Sequence, residues 1–448
     1  MEIGERRHAN IVILRPVGRI DNLTSGEFQG RLIAAVTSGG AGCIIDFAAV
    51  EFISSAGLRA IMAAARAKPP ERQLAVAALN TVVSEVFRIS RFSHVVPIFG
   101  TVGEAAAALL VPARPHAAAQ SAAAPAAAVL GVHFWGTRGS LPRPLMEHEV
   151  RAKIREALVA SRAYAIETSE QIDEFIDSTL PFTLRGTYGG NTACVQISTG
   201  SDEFVLCDLG TGVREFGKHV LAAHGPARKH CYNVFQSHAH WDHIMGFPFF
   251  APAYVPGNLI RVYGCHDMLL EALHNQQSSP CFPVNFDTLK ATIEFIGLEP
   301  GRTTEIAGLS VTPIKQPHGG DSYGFRFSRD GKTIVYSTDC EHKFSTLDPT
   351  YPFIDFYRDA DLLIFDAMYS LAEAISVKED WGHSNNIIAV ELAQAARVKR
   401  LVLFHHEPAH DDQMIADVLA DTIRFEELSR RGHKVEVISA YDGLELTI

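Results

Sequence analysis

Ser237-His238-Ala239-His240-Trp241-Asp242-His243 decides how this chain is read, and it follows directly on the apolar run Tyr232–Phe235. Three histidines and one aspartate fall within residues 238–243. Imidazole and carboxylate are the ligands that Zn²⁺ and related transition metals accept. His238 and His240 lie two apart and can turn the same way at a strand end, as ligands of one ion. Asp242 and His243 point elsewhere and suit a second ion. The competing reading is an ordinary polar loop, but four ligand-type residues seldom cluster without a metal.

A second ion needs more ligands, and the sequence downstream supplies them. His318 follows the apolar stretch Leu309–Ile314, Asp339 ends Thr333-Ile-Val-Tyr-Ser-Thr-Asp, and His405 ends Leu401-Val-Leu-Phe-His. Each stands at the C-terminal end of a β-rich run, where a sheet presents functional groups on loops. One arrangement satisfies both ions. His238, His240 and His318 hold the first, Asp242, His243 and His405 hold the second, and Asp339 bridges. Such a pair, about 3.5–4 Å apart, is a clamp suited to in-line displacement at phosphorus.

With Asp208 in Leu206-Cys-Asp-Leu-Gly-Thr-Gly, these residues run in an order that resembles the metallo-β-lactamase superfamily, over residues 131–448. The chain is most similar to the branch that holds ribonuclease Z and the phosphonate-pathway cyclic phosphodiesterase. Ser322-Tyr323-Gly324-Phe325 after His318 and Gly382-His383-Ser384 before a helical segment both look like motifs of that branch. Gly136-Thr-Arg-Gly-Ser140 and Gly189-Gly-Asn-Thr192 look like its glycine-rich loops. The resemblance implies an αββα sandwich with two divalent metal ions at one edge, zinc or else manganese or iron. It implies that His383 meets the scissile phosphate; Asp242, a carboxylate among the ligands, is itself both ligand and candidate proton acceptor. Asp208 is expected behind the ligands, orienting an imidazole. His383 also admits a helix-capping role, although Ser384-Asn385 already offers capping groups. Strand alternation lets only one of His405 and His406 reach the metal, and the apolar-apolar-His order of the family's last motif selects His405. His406 and His410 are then expected at the mouth, and His342 is either a loose candidate or a surface histidine.

A chain of 448 residues is too long for one typical domain. The segment 112–130 is mostly alanine broken by proline and reads as a semi-rigid linker. It separates residues 1–111 from residues 131–448. The seven cysteines are scattered without a Cys-x-x-Cys pair, as expected of reduced thiols in a cytoplasmic protein. No stretch has the length and apolarity of a membrane span or a signal-peptide core.

The N-terminal module reads as small α/β. Asn10–Val17, Cys43–Phe47 and Leu74–Ala78 are strand-like, and Thr24-Ser-Gly-Glu27 fits a capping box ahead of Phe28, Leu32, Ile33 and Val36. Asp46 and Phe52-Ile-Ser-Ser-Ala-Gly-Leu58 resemble the STAS domain of anti-sigma-factor antagonists. In that family the serine matching Ser55 is phosphorylated by a partner kinase, but Ser54 stands where Asp is frequent and Ala56 where Ser or Thr is. An N-cap hydroxyl at the head of Ala56–Ala67 is the other reading of Ser55. The resemblance implies a module that binds a protein partner or kinase and regulates, localises or dimerises the enzyme; a homodimer stays open.

Residues 146–180 look helical, with a Thr168-Ser-Glu-Gln171 capping box, and suit a lid near the substrate mouth or else a surface or dimer-contact insertion. The formal net charge is −11, which disfavours long nucleic acid as substrate. Arg138, Arg185 and Lys315 are the nearest basic candidates for phosphate contact, or else surface charges. The expected activity is therefore a dinuclear metal-dependent phosphodiesterase acting on a small or cyclic phosphodiester, cyclic nucleotides among them. The alternatives are an RNA 3′-processing nuclease, a thioester or lactone hydrolase on the same fold, and a signalling protein whose metal domain does not catalyse.

Overall fold

The computed structural model describes residues 1–448 apart from 9, 22, 39, 41, 70–71, 90–95, 111–129, 343–349, 370–379 and 431. The chain forms two compact units, Met1–Ala124 and Pro125–Ile448. The expected linker falls almost wholly outside the described residues.

In the first unit the central strand is β2 (Ile11–Ile20). It pairs antiparallel with β1 (Glu2–His8) and parallel with β3 (Gly42–Asp46) and β4 (Val50–Ile53). β5 (Gln73–Ala77) and β6 (Ile98–Phe99) extend the sheet. Alternation sorts the strand residues: Val12, Leu14, Cys43 and Ile45 meet the helices Ser25–Thr37 and Ser55–Ala67. Ile11, Ile13 and Ile44 meet the helix Val102–Leu110 on the other face. Two local expectations change. Thr24 is helical in backbone (φ −108°, ψ −17°) and makes no cap; its hydroxyl donates to Arg19 O at 2.9 Å, while Glu27 pairs with the N-terminal amine. The helix Ser55–Ala67 is capped by Ser54, whose Oγ accepts from Ala56 N at 3.2 Å. The Ser55 side chain lies outside the described groups.

The second unit stacks two seven-stranded sheets. In the first, β7 (Gly131–Gly136), β8 (Cys194–Ser198) and β9 (Phe204–Cys207) run antiparallel. β10 (Cys231–Phe235), β11 (Leu259–Gly264) and β12 (Thr292–Gly297) continue parallel to β9. In the second, β13 (Thr304–Ile306), β14 (Leu309–Lys315), β15 (Tyr323–Arg329) and β16 (Lys332–Ser337) run antiparallel. β17 (Leu362–Asp366), β18 (Arg400–Phe404) and β19 (Glu436–Ser439) follow in parallel, and β20 (Glu445–Thr447) closes the first sheet beside β7.

Parallel strands covered on both faces are near-continuously apolar, and here the period of two divides each run between two cores. Tyr336, Ile364, Val402 and Phe404 face Phe134, Val195 and Phe235 across the sheet–sheet interface. Val335, Leu363, Phe365, Leu401 and Leu403 face the helix Asn386–Ala395. The helix Gly212–His224 covers the outer face of the first sheet through Val213, Phe216 and Val220. Each such buried side chain contributes roughly 1.5–3 kcal/mol, so the register that aims the strand ends is strongly held. The helices Glu147–Ser161 and Ser169–Ser178 interrupt β7 and β8, and the Thr168–Gln171 capping box forms. The first of them has no buried residue and leaves Val150, Ile154 and Leu158 exposed.

Candidate metal centre

Seven strand ends aim at one edge of the sandwich. β9 leads to Asp208, β10 to His238–His243, β14 to His318, β16 to Asp339, β17 ends on Asp366, and β18 leads to His405. β7 leads to Gly139 and Ser140, which close the site from the side of the first sheet. Beside a group of Asp366, His383 and His405, the ligand-type atoms form two groups that share a member: His238, His240, His318 and Asp339, and Asp242, His243, Asp339 and His405. Asp339 belongs to both. Its Oδ1 stands 3.0 Å from His243 Nε2 and 3.1 Å from His405 Nε2. Its Oδ2 stands 3.5 Å from His238 Nε2 and 3.7 Å from His318 Nε2.

The hydrogen bond at one ring nitrogen sets which nitrogen carries the lone pair. His243 Nδ1 donates to Asp208 Oδ2 at 2.7 Å, His318 Nδ1 donates to Gly382 O at 2.7 Å, and His238 Nδ1 lies 3.0 Å from Ser237 Oγ. In each case Nε2 is left to face Asp339. His240 Nδ1 lies 3.2 Å from His318 Nε2. Burial pushes the imidazoles of His238, His240 and His318 down, so all three are neutral bases at neutral pH. His243 is the contrast: burial opposes its charge, yet Asp339, Asp242 and Asp208 raise it well above the usual histidine range. Burial likewise opposes charge on Asp339 and Asp242, and the surrounding imidazoles, His243 foremost, hold both well below the usual carboxylate range.

These observations test the donor set against a metal. Two neutral imidazoles converge at 3.2 Å, and the His318 nitrogen in that contact is the bare Nε2. His238 Nε2 is buried with no hydrogen-bond partner, a state that costs about 1–3 kcal/mol unless something takes the lone pair. A carboxylate presents one oxygen to each group. The residues fit two divalent cations.

Asp208 is fully buried with φ +62°, and its oxygens accept from Ser237 N, Ser237 Oγ, Gln236 Nε2, Tyr336 OH and His243 Nδ1 at 2.7–3.1 Å. It stands behind the ligand loop rather than in either group. Ser140 N–H donates to Asp242 Oδ2 at 2.8 Å. His383 Nδ1 meets Asp366 Oδ2 at 2.9 Å, and its ring lies 5.0 Å from that of His405 and 5.3 Å from that of His318. Burial opposes charge on His383, but Asp366 outweighs it and lifts the imidazole to about 9. Asp366 was missed in the sequence, although Leu362-Leu-Ile-Phe-Asp repeats the apolar-run-then-aspartate pattern that singles out Asp339.

Other expectations move. His406 is buried, and its Nε2 donates to Ala440 O at 2.9 Å; with His410 it lines a small cavity beside Ile415 and Val418, not the mouth. His342 is no surface histidine: it is buried beside Cys340 Sγ (2.9 Å), Tyr351 OH (2.6 Å) and Tyr357 OH (3.1 Å). Arg138 is buried and bonds to Gly189 O, Glu407 O and His410 O, which ties both glycine-rich loops to the segment after His405. Gly139 has no room for a side chain, since a Cβ would stand 2.5 Å from the His405 ring. Arg185 and Lys315 pair with Asp177 and Asp321.

Residues 204–406 match the family model of the beta-lactamase superfamily domain, and residues 3–105 match that of the STAS domain. The chain joins a STAS domain to a metallo-β-lactamase domain. Over 245 residues it is 27% identical to YhfI of Bacillus subtilis, named as a probable metallo-hydrolase, covering 51% of this chain and 89% of that one. It is 36% identical over 87 residues to ribonuclease Z of Thermoplasma acidophilum, covering 19% of this chain and 26% of that one. The STAS domain is 31% identical over 100 residues to BtrV of Bordetella bronchiseptica, a protein named for the anti-sigma factor antagonists, covering 22% of this chain and 85% of that one. The metallo-β-lactamase domain carries every residue of both ligand-type groups. Among the described residues, no helix is long and apolar enough to cross a membrane.

Proposed function

We propose that this protein is a dinuclear metal-dependent phosphodiesterase acting on a small or cyclic phosphodiester, with the STAS domain as its regulatory or localising module. Similarity to a named metallo-hydrolase supports a hydrolase. The observation that carries the finer reading is Asp339, whose two oxygens divide between two imidazole-rich groups while His383 stands beside both. His238, His240, His318 and Asp339 would hold one ion, and Asp242, His243, His405 and Asp339 the other. Bound divalent ions, zinc first among them, supply Lewis-acid polarisation of a phosphoryl oxygen and acidify water.

The protein's own groups do the rest. Asp242, fixed by the Ser140 N–H, accepts the proton of the attacking water. His383, held by Asp366 through Nδ1, turns its other nitrogen to the phosphate and protonates the leaving oxygen. Asp208 keeps His243 in the tautomer that offers Nε2. The net charge of −11 favours a small substrate over long RNA. The STAS domain supports a protein partner.

The test is metal-dependent hydrolysis of bis(p-nitrophenyl) phosphate by wild type, Asp242→Ala and His383→Ala. Turnover that requires metal and collapses in both variants is expected. Thioester or lactone hydrolysis with no phosphodiester turnover by the metal-loaded wild type would refute the reading.

A further inference from the structure

We propose that Glu341 is a positioning residue that locks together the three loops bearing Asp339, His318 and His383. It lies two residues after Asp339. Its backbone N–H donates to Pro317 O at 2.7 Å, directly before His318. Its carboxylate accepts from Asp380 N at 3.2 Å through Oε1 and from Gly382 N at 3.1 Å through Oε2. The carbonyl of Gly382 in turn accepts from His318 Nδ1, and the next residue is His383. One side chain therefore grips the peptide that orients an imidazole of the first group and launches the imidazole aimed at substrate.

The gripped segment needs an external hold. Asp380 and Gly382 adopt φ of +63° and +88°, a region that an aspartate occupies at a cost unless its surroundings impose it. Gly382 also sits hard against the ligand, since a Cβ there would stand 2.5 Å from His318 Nδ1. A loop in such contact cannot shift without turning the His318 ring. An ionised carboxylate accepting two N–H groups is a stronger hold than a neutral acceptor. The role is separable from the backbone anchor, because replacing the side chain leaves the Glu341 N–H on Pro317.

This inference rests on the ligand assignment above. The experiment compares full-length wild type, Glu341→Ala and Glu341→Gln by Zn²⁺ competition against a chromophoric chelator, by kcat and KM on bis(p-nitrophenyl) phosphate, and by ¹⁵N-histidine NMR. Glu341→Ala should weaken one of the two Zn²⁺ equivalents by about tenfold to a hundredfold. It should lower kcat rather than raise KM, and shift the His318 Nδ1–H resonance while that of His243 stays. Glu341→Gln keeps one acceptor and should recover part of each loss. A purely structural brace would lower the melting temperature and leave Zn²⁺ affinity and the His318 resonance as in wild type, and that result overturns the proposal. A wild type inert on every phosphodiester, with the His318 signal still moving in Glu341→Ala, would sink the phosphodiesterase reading and leave the positioning role standing.

Discussion

Replacing Asp208 by asparagine should disable the second ion group without unfolding the domain. Asp208 Oδ1 accepts from two obligate donors, Ser237 N at 2.7 Å and Gln236 Nε2 at 3.1 Å, so the amide oxygen must take that place. The amide nitrogen then occupies the position of Oδ2, which faces Ser237 Oγ, Tyr336 OH and His243 Nδ1 at 2.8, 2.7 and 2.7 Å. The two hydroxyls can rotate and accept. His243 can accept only by moving its proton from Nδ1 to Nε2, the atom that faces Asp339 at 3.0 Å and Asp242 at 3.2 Å. A ring protonated on Nε2 cannot bind an ion there. Losing such a supporting partner costs about 10–100-fold in metal affinity, or about 1.4–2.7 kcal/mol. Stepwise Zn²⁺ titration by calorimetry should show one strong site kept and one weakened by that factor. Asp208→Ala, by contrast, takes the carboxylate from Ser237 N, Tyr336 OH and His243 Nδ1 at about 1–3 kcal/mol each, while Gln236 Nε2 keeps His238 O and His243 O, and should destabilise the domain severely. Two unchanged Zn²⁺ sites in Asp208→Asn would refute the tautomer argument.

Three further outcomes are expected. Burial pushes the His342 imidazole down to about 3, so its neutral form stabilises the fold in full above the unfolded value near 6.5. That contribution is lost as pH falls towards 3, about 2 kcal/mol of it by pH 5. Urea midpoints of wild type should therefore fall more steeply from pH 7 to 5 than those of His342→Gln, and parallel curves would count against it. Trp241 is 76% exposed between ligand candidates of the two groups. If it stacks on a substrate base, Trp241→Ala should lose about 1–3 kcal/mol in kcat/KM for a nucleotide and little for an alkyl phosphodiester, with the melting temperature unchanged. Gly139→Ala forces a methyl to 2.5 Å from His405; calorimetry should show weaker Zn²⁺ binding at the second group, and an unaltered titration would mean that the loop yields.

What the sequence disclosed follows from how far each residue acts. The ligand-type residues are legible because they cluster in one block or stand where an apolar strand stops, and both are local patterns. Asp366 and Glu341 escaped because their partners lie 17 and 41 residues away and are, for Glu341, backbone amides that no residue type announces. His342 reads as a loop histidine in sequence, yet a packed cluster of Tyr351, Phe353, Tyr357 and Phe365 encloses it. The N-cap of Ser55–Ala67 fell one residue from the expected place, since Ser54 alone takes an extended backbone (φ −92°, ψ 174°) that aims its hydroxyl at the first free amides. The αββα sandwich was legible through the resemblance that the ligand-type motifs carry; the identity of the capping and bracing groups depended on tertiary geometry.

Tyr336 lies next to the end of β16 in one sheet, yet its hydroxyl donates to Asp208 just after β9 in the other. The two groups of candidate ligands that share Asp339 also draw on both sheets. The centre is thus a seam, complete only while the two sheets stay docked. Occupied by cations, it would act as a rivet between them, and any core substitution that lets the layers slide would be felt first as metal lost, well before the sandwich comes apart.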